Sequence, residues 1–216
     1  MTAVARYALA DYLRSQRFVA PLVVLLGFLA VLHAFPGSVV SGYGASAAAL
    51  VPIGVWLTLG LHNAEDPLQT EVTIANAGGR RRVVIGKTCA ALAAVLALAA
   101  VALVWPLVSA GRPYPPADLA AGLLAHLTCG VTGVALGTCC ARPLIRRQGH
   151  AFATALLLSL VALVSRPLSP ANRTIRLMSA APPRPSAAEL LLLAAWALVL
   201  LAVLAPLSSW AGQRRR

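Results

Sequence analysis

Charged residues are scarce in this chain of 216 residues, at 11% against about 25% in soluble globular domains. Apolar residues make up 59%, and the mean hydropathy is +0.80. A membrane span needs ~20 apolar residues, so six spans would use about 120 and leave short loops and one amphipathic segment. The composition therefore excludes an ordinary soluble domain, and the length leaves no room for a large soluble catalytic domain.

Acidic residues are the scarcest charged group, with 6 against 18 basic residues and a net charge of +12. None of the six is predicted in the interior of a span, where proton-driven carriers place a carboxylate, since Asp118 and Glu189 lie at span ends and the other four lie outside. The basic residues are arginines except Lys87, and they lie between apolar runs, where they indicate topology and not nucleic-acid binding. The Arg-, Ala- and Leu-rich composition suggests a GC-rich bacterial genome.

Motifs for catalysis and for metal binding are also missing. The chain has no H-E-x-x-H, no G-x-S-x-G and no cluster of acids for a divalent metal. The string Gly86-Lys87-Thr88 resembles the end of a phosphate-binding loop, but Arg81 stands where that motif requires glycine. We therefore expect no catalytic residue, no metal and no cofactor, and no nucleotide hydrolysis by this chain.

The cysteines and the deepest histidine favour structural roles. His126 lies alone among Ala and Leu, which favours packing or a local hydrogen bond over a ligand role. No pair of cysteines has C-x-x-C spacing, so all four are expected to be buried thiols: Cys89, Cys129, Cys139 and Cys140.

Apolar runs predict an all-α integral membrane protein with six spans and both termini cytoplasmic, which places 13 of the 18 basic residues inside. Pro36 and Gly37 should end the first span. The fifth run is short and spans only if Gly149, His150 and a snorkelling Arg166 are included, so five crossings stay open. The expected spans are about residues 18–35, 45–61, 88–110, 119–141, 149–168 and 189–207.

Two further segments are predicted to form helices that do not cross the membrane. Residues 2 to 17 predict a helix lying on the membrane, with Ala5, Leu9, Tyr12 and Leu13 on its apolar side. The second is expected in the charged cytoplasmic loop between the second and third spans. Asp66 is expected to cap this helix, with Pro67 at the first helical position and Gln69 reaching back to the cap. The helix should end near Ala77, where Gly78 and Gly79 stop it. The arginines that follow, Arg80, Arg81 and Arg82, lie at the negative end of its dipole.

Small residues in the fourth expected span predict close helix packing. Gly133 and Gly137 form a small-xxx-small pair, and Gly130 extends the same small-residue surface. We expect these glycines to serve packing and not ligand binding.

The order of these parts resembles the permease subunits of type-2 ATP-binding-cassette exporters. The stretch Tyr7–Phe18 is similar to the elbow helix of that family, and Asp66–Val72 is similar to its coupling helix, followed by the Gly86-Lys87 that enters the third span. Residues 166 to 187 are similar in position and length to the outer helical hairpin. The resemblance implies a single transmembrane permease domain over residues 1–216 of a bacterial plasma-membrane exporter.

The resemblance also implies partners. They are a separate ATPase subunit that hydrolyses ATP, a second permease that is either this chain again or a paralogue, and membrane lipids. Leu68 and Val72 are the expected apolar anchors at the ATPase contact. The polar residues expected there are Asp66, Gln69, Glu71, Arg80, Arg81 and Arg82.

Other interpretations of the same pattern stay open. One alternative is that the capped helix simply rests on lipid headgroups. A second is that the chain is a non-transporting assembly or sensor subunit. A membrane enzyme acting on lipid is a third alternative, which requires polar residues converging at one depth. The segment with Arg166, Arg173, Arg176 and Arg184 would suit an anionic lipid or headgroup.

Overall fold

The computed structural model describes residues 2–34, 38–110, 114–142, 144–145, 147–166, 169–180 and 185–213, with backbone alone for residues 110 and 211–213. Helices fill these ranges, and no strand occurs within them. Pro36, Gly37, Arg146, Arg184 and Arg214–Arg216 lie outside them. The helices are α1 Thr2–Arg14, α2 Val19–Leu32, α3 Val39–His62, α4 Pro67–Ala77, α5 Arg80–Ala110, α6 Pro116–Cys140, α7 Gln148–Val164, α8 Pro170–Ser179 and α9 Ala187–Gln213.

Four of these helices are long and apolar enough to cross a membrane, namely α3, α5, α6 and α9. The pair α1 and α2 meets the same criteria only together, with a bend of 74° between them. α2 has 14 residues and α7 has 17, or about 21 Å and 26 Å of helix, less than the ~30 Å hydrocarbon core. The described chain is therefore compatible with a multi-pass membrane protein that has four or five candidate spans, where the apolar pattern predicts six.

Several helix ends differ from the sequence prediction for local reasons. α3 begins at Val39 and not Ala45, because the Ser38 side chain caps it by accepting from the Ser41 amide. α5 begins at Arg80 and not Thr88, and its first turns are fixed by burial of Val83 and Val84. α1 ends at Arg14 and not at residue 17, because Gln16 adopts a left-handed conformation with φ 55°.

α3 and α6 form the centre of the bundle, and their backbones approach closely. A Cβ added at Gly133 would lie 2.6 Å from the Val51 carbonyl oxygen, and one at Gly137 would lie 2.6 Å from Thr58 Cβ. A Cβ at Gly130 would meet α5 instead, 2.7 Å from Val95 Cγ1. Larger side chains at these three positions would push neighbouring helices apart.

The two ends of the bundle carry different short helices. At one end, called here the α4 end, α1 and α4 lie beside the last turn of α3 and the first turns of α5. At the other, the α8 end, α8 packs on α3, α6 and α9. Arg173 and Arg176 of α8 are exposed, as is Arg166 before it. Residues 166 to 187, which are similar in position to an outer helical hairpin, contain one helix of ten residues in their described part.

His126 and the cysteines can be compared with their expected roles. His126 Nδ1 donates to the Gly122 carbonyl oxygen at 2.6 Å, and Nε2 lies 2.9 Å from Ser46 Oγ. The predicted local hydrogen bond is confirmed. Cys129 and Cys140 are buried and Cys139 is half-buried. Cys89 is exposed, so its predicted burial is wrong, because its position on α5 faces away from the neighbouring helices.

Candidate functional site

α4 is a short helix with capping groups at both ends. Asp66 Oδ1 accepts from the Leu68 amide at 2.6 Å, and Pro67 occupies the first helical position. Gly78 takes the left-handed conformation that ends the helix, with φ 71°, and the Gly79 amide donates back to Ile74 at 3.0 Å. The predicted start, cap and stop of this helix are confirmed.

Gln69 has a different role from the one expected. Its side-chain amide donates to the hydroxyl of Tyr7 on α1 at 2.9 Å, instead of returning to the cap. α1 lies beside the start of α4, so a partner from another helix takes the place of the local one. The capping-box prediction for Gln69 is wrong, and Gln69 instead connects α4 to α1.

The outer side of α4 is exposed along its whole length, since none of its residues is buried. Leu68 and Val72, one turn apart, are 79% and 61% exposed. Asp66, Gln69 and Glu71 are exposed on the same helix or at its cap. An apolar pair with a polar rim is a surface typical of helices that dock into grooves.

The three arginines that follow α4 form the first turn of α5. Arg80 Nη2 lies 2.9 Å from Glu71 Oε1 and is half-buried, whereas Arg81 and Arg82 are exposed. Arg82 Nη1 donates to the Ala77 carbonyl oxygen at 3.3 Å, at the negative end of α4. The predicted position of a cation at this helix end is confirmed for Arg82.

A buried ion pair lies directly beneath α4. Lys87 Nζ is 2.9 Å from Glu65 Oε2, and the two side chains are only 4% and 2% exposed. Lys87 Nζ also donates to the His62 carbonyl oxygen at 3.3 Å, and Thr73 Oγ1 donates to Glu65 Oε1 at 3.1 Å. We call these four residues, His62, Glu65, Thr73 and Lys87, the Glu65–Lys87 cluster.

The cluster joins three helices through the Glu65 carboxylate and the Lys87 ammonium group. His62 ends α3, Thr73 lies in the middle of α4, and Lys87 lies two turns into α5. Burying either charge without its partner is costly, which favours retention of all the contacts together. α4 therefore cannot be displaced far without moving the adjoining ends of α3 and α5 or breaking a buried ion pair.

This cluster is not apparent from the sequence. Gly86-Lys87-Thr88 resembles only a phosphate-binding motif, and Glu65 belongs to no motif. Two signals were present: Lys87 is the one lysine among 18 basic residues, and Glu65 comes directly before a helix cap. Neither signal pairs them, because 22 residues separate the two.

α1 packs closely against the same end of the bundle at two glycines of the neighbouring helices. A Cβ at Gly86 would lie 2.7 Å from Val4 Cγ1, and one at Gly60 would lie 2.9 Å from Tyr12 Cε2. Thr88 donates to the Val84 carbonyl oxygen of its own helix at 2.8 Å. The Gly86-Lys87-Thr88 string thus provides a close helix contact, a buried ion pair and a helix-internal hydrogen bond.

A metal site at the α4 end would require a group of side chains that can hold the ion. Among the described residues, no group of three or more His, Cys, Asp or Glu side chains could hold a metal ion. The notable features at the α4 end are an exposed apolar pair and the buried cluster behind it.

Comparison with known proteins finds no matching family model, curated protein or solved structure. The resemblance to exporter permeases therefore stays a prediction from the arrangement of the chain.

Proposed function

We propose that this chain is the transmembrane permease subunit of an ATP-binding-cassette exporter, forms the translocation path and is driven by a separate ATPase subunit. One observation carries the proposal: an outward-facing, doubly capped helix is connected to two long apolar helices by a buried ion pair. A helix resting passively on headgroups needs no such connection to the bundle.

In this proposal α4 is the coupling helix. Leu68 and Val72 enter a groove on the ATPase, while Asp66, Gln69, Glu71 and the arginines after α4 contact its rim. ATP binding closes the ATPase pair and pushes α4. Because Glu65 and Lys87 connect α4 to α3 and α5, the push reaches both long helices and, through the glycine contact, α6.

The proposal includes a topology with six crossings. α2 and α7 are then short spans, α1 is the interfacial elbow, and the α4 end faces the cytoplasm of a bacterium together with both termini. The basic residues around α1 and α4 support this orientation, since cytoplasmic loops are rich in arginine and lysine. Two such permeases, identical or paralogous, would enclose the path between them.

The decisive experiment tests whether α4 binds and couples to an ATPase encoded beside this chain. The double variant Leu68→Arg/Glu71→Arg should insert in the membrane normally but lose copurification with the tagged ATPase, or uncouple its ATP turnover from export. The charge-matched control is Ser179→Arg/Glu189→Arg at the exposed α8 end, which should copurify as the wild type does.

Other results would count against the coupling role. Unchanged copurification and unchanged transport in the Leu68→Arg/Glu71→Arg variant would contradict it. Copurification that is lost while export of cargo continues would favour the alternative, a non-transporting assembly or sensor subunit.

A further inference from the structure

Two neighbouring pockets lie between α2, α3 and α7 and share the side chains of Trp56 and Phe152. The larger, about 520 Å³, has almost entirely apolar walls that include Val24, Phe28 and Ala48. The smaller, about 310 Å³, lies toward the α4 end and has polar groups in its walls, those of Arg17, Asn63 and Gln148. Both pockets lie along α3, the larger beside residues 45–56 and the smaller beside residues 56–63, so they lie end to end with Trp56 and Phe152 between them.

The dimensions of the apolar part match one leaflet of a membrane. It follows α3 from Ala45 to Trp56, which is about 17 Å of helix. Half of a hydrocarbon core of ~30 Å is about 15 Å. An acyl chain that began at the polar end would therefore lie against apolar side chains along its whole depth.

The polar end is suited to an anion. Arg17 follows the left-handed Gln16 in the turn between α1 and α2, its side chain is exposed, and no carboxylate in the described chain forms an ion pair with it. Asn63 Oδ1 already accepts from the Arg142 amide at 3.3 Å, which leaves its Nδ2 group to donate. None of the residues in the walls of the smaller pocket is acidic.

We propose that these two adjacent pockets together bind one anionic phospholipid. The phosphate lies at Arg17, the amides of Asn63 and Gln148 donate to the headgroup, and one acyl chain fills the apolar groove between α2, α3 and α7. Trp56 and Phe152, edge to face at 6.1 Å, mark the boundary between headgroup and chain. The site does not depend on the proposed transport function, because it uses neither α4 nor an ATPase.

Trp56 provides the probe for the headgroup. A Trp105→Phe/Trp196→Phe/Trp210→Phe background leaves Trp56 as the one tryptophan of the four. The full chain is placed in phosphatidylcholine bilayers that contain brominated phosphatidylglycerol or brominated phosphatidylcholine. Quenching should show about fivefold selectivity for the anionic lipid, which corresponds to the ~1 kcal/mol that one arginine contributes near an anionic surface.

Two arginine variants separate the site from the general positive charge of the chain. Arg17→Gln should reduce the selectivity to below twofold. Arg14→Gln removes the same charge three residues earlier in the chain but lies outside both pockets, so it should keep the selectivity. The amount of phosphatidylglycerol retained by the purified chain with all its tryptophans should fall in Arg17→Gln alone, which tests the proposal without the background substitutions.

A second pair of variants tests the acyl chain. Ala48→Phe fills the groove and should lower quenching by both brominated lipids, whereas Ala100→Phe, on the exposed side of α5, should not. Equal quenching of wild type by the two lipids, equal loss in Arg14→Gln and Arg17→Gln, or no effect of Ala48→Phe would each overturn the proposal. So would quenching that rises when the protein is diluted in lipid, because a second copy of the chain would then be covering the groove.

Discussion

Replacing one partner of the buried Glu65–Lys87 ion pair should destabilise the protein far more than replacing both partners. At 2.9 Å and an effective dielectric constant of about 20, Coulomb's law gives an attraction of about 6 kcal/mol. Desolvation costs several kcal/mol per ion, which offsets most of that attraction. Lys87→Met leaves Glu65 buried with only the Thr73 hydroxyl, so we expect a loss of about 3–5 kcal/mol.

The double variant Glu65→Gln/Lys87→Met should be much more stable than the sum of the single variants predicts, because neither position then carries a buried charge. The amide at position 65 can still accept from Thr73. Unfolding of the purified chain in mixed micelles of a mild and a denaturing detergent gives the four free energies of the cycle. We expect a coupling of at least about 2 kcal/mol between the two positions, within the range for contacting residues.

The less buried pair Arg80–Glu71 is the matched control, with the same separation of 2.9 Å and side chains that are 15% and 50% exposed. Arg80→Gln should cost less than about 1 kcal/mol, because water reaches the Glu71 carboxylate and screens the pair. Additive losses for Glu65→Gln and Lys87→Met would refute the reasoning, since they would mean that the two charges do not stabilise each other. A loss in Arg80→Gln as large as that in Lys87→Met would refute it as well.

Three further outcomes can be measured. Gly137→Leu should destabilise the bundle by about 1–3 kcal/mol or more in the same unfolding assay, because its Cβ would meet Thr58, whereas Gly27→Ala, with open space around it, should be neutral or slightly stabilising. Asp66→Ala should destabilise α4 by about 1 kcal/mol and speed hydrogen exchange at the Leu68 amide, and exchange that is no faster would show that the cap contributes nothing. In a chain without other cysteines, single cysteines at Val72 and Arg173 should be labelled from opposite sides of the membrane, and labelling from one side would contradict the proposed topology.

The ends of α4 could be predicted because they depend on neighbours in sequence. Asp66 caps an amide two residues ahead, and Gly78 supplies a conformation that few other residues adopt readily. The start of α5 could not be predicted the same way. Three arginines suggest a solvated loop, and it is the burial of Val83 and Val84 against other helices that makes the segment helical.

In the candidate site, too, the features set by the local sequence could be predicted and those set by the packing of distant segments could not. Exposure of Leu68 and Val72 follows from their place in a short, charged segment between apolar runs. The Glu65–Lys87 cluster depends on how α3, α4 and α5 meet, and the partner chosen by Gln69 depends on the path of α1. Such pairings over long sequence separations leave no periodic pattern in one sequence, so only the three-dimensional arrangement identifies them.

The left-handed backbone at Gln16 has a consequence for how this chain can vary. A residue with a side chain is strained in that conformation, so the turn between α1 and α2 is held by its surroundings and not by its own preference. The length of this turn sets which side of α2 packs on the bundle, and one residue of helical register corresponds to about 100° of rotation. A register shift of that size would take the fully buried Leu25 and Leu29 out of the core, so a change of one residue in the length of this turn should be tolerated less well than most substitutions within it.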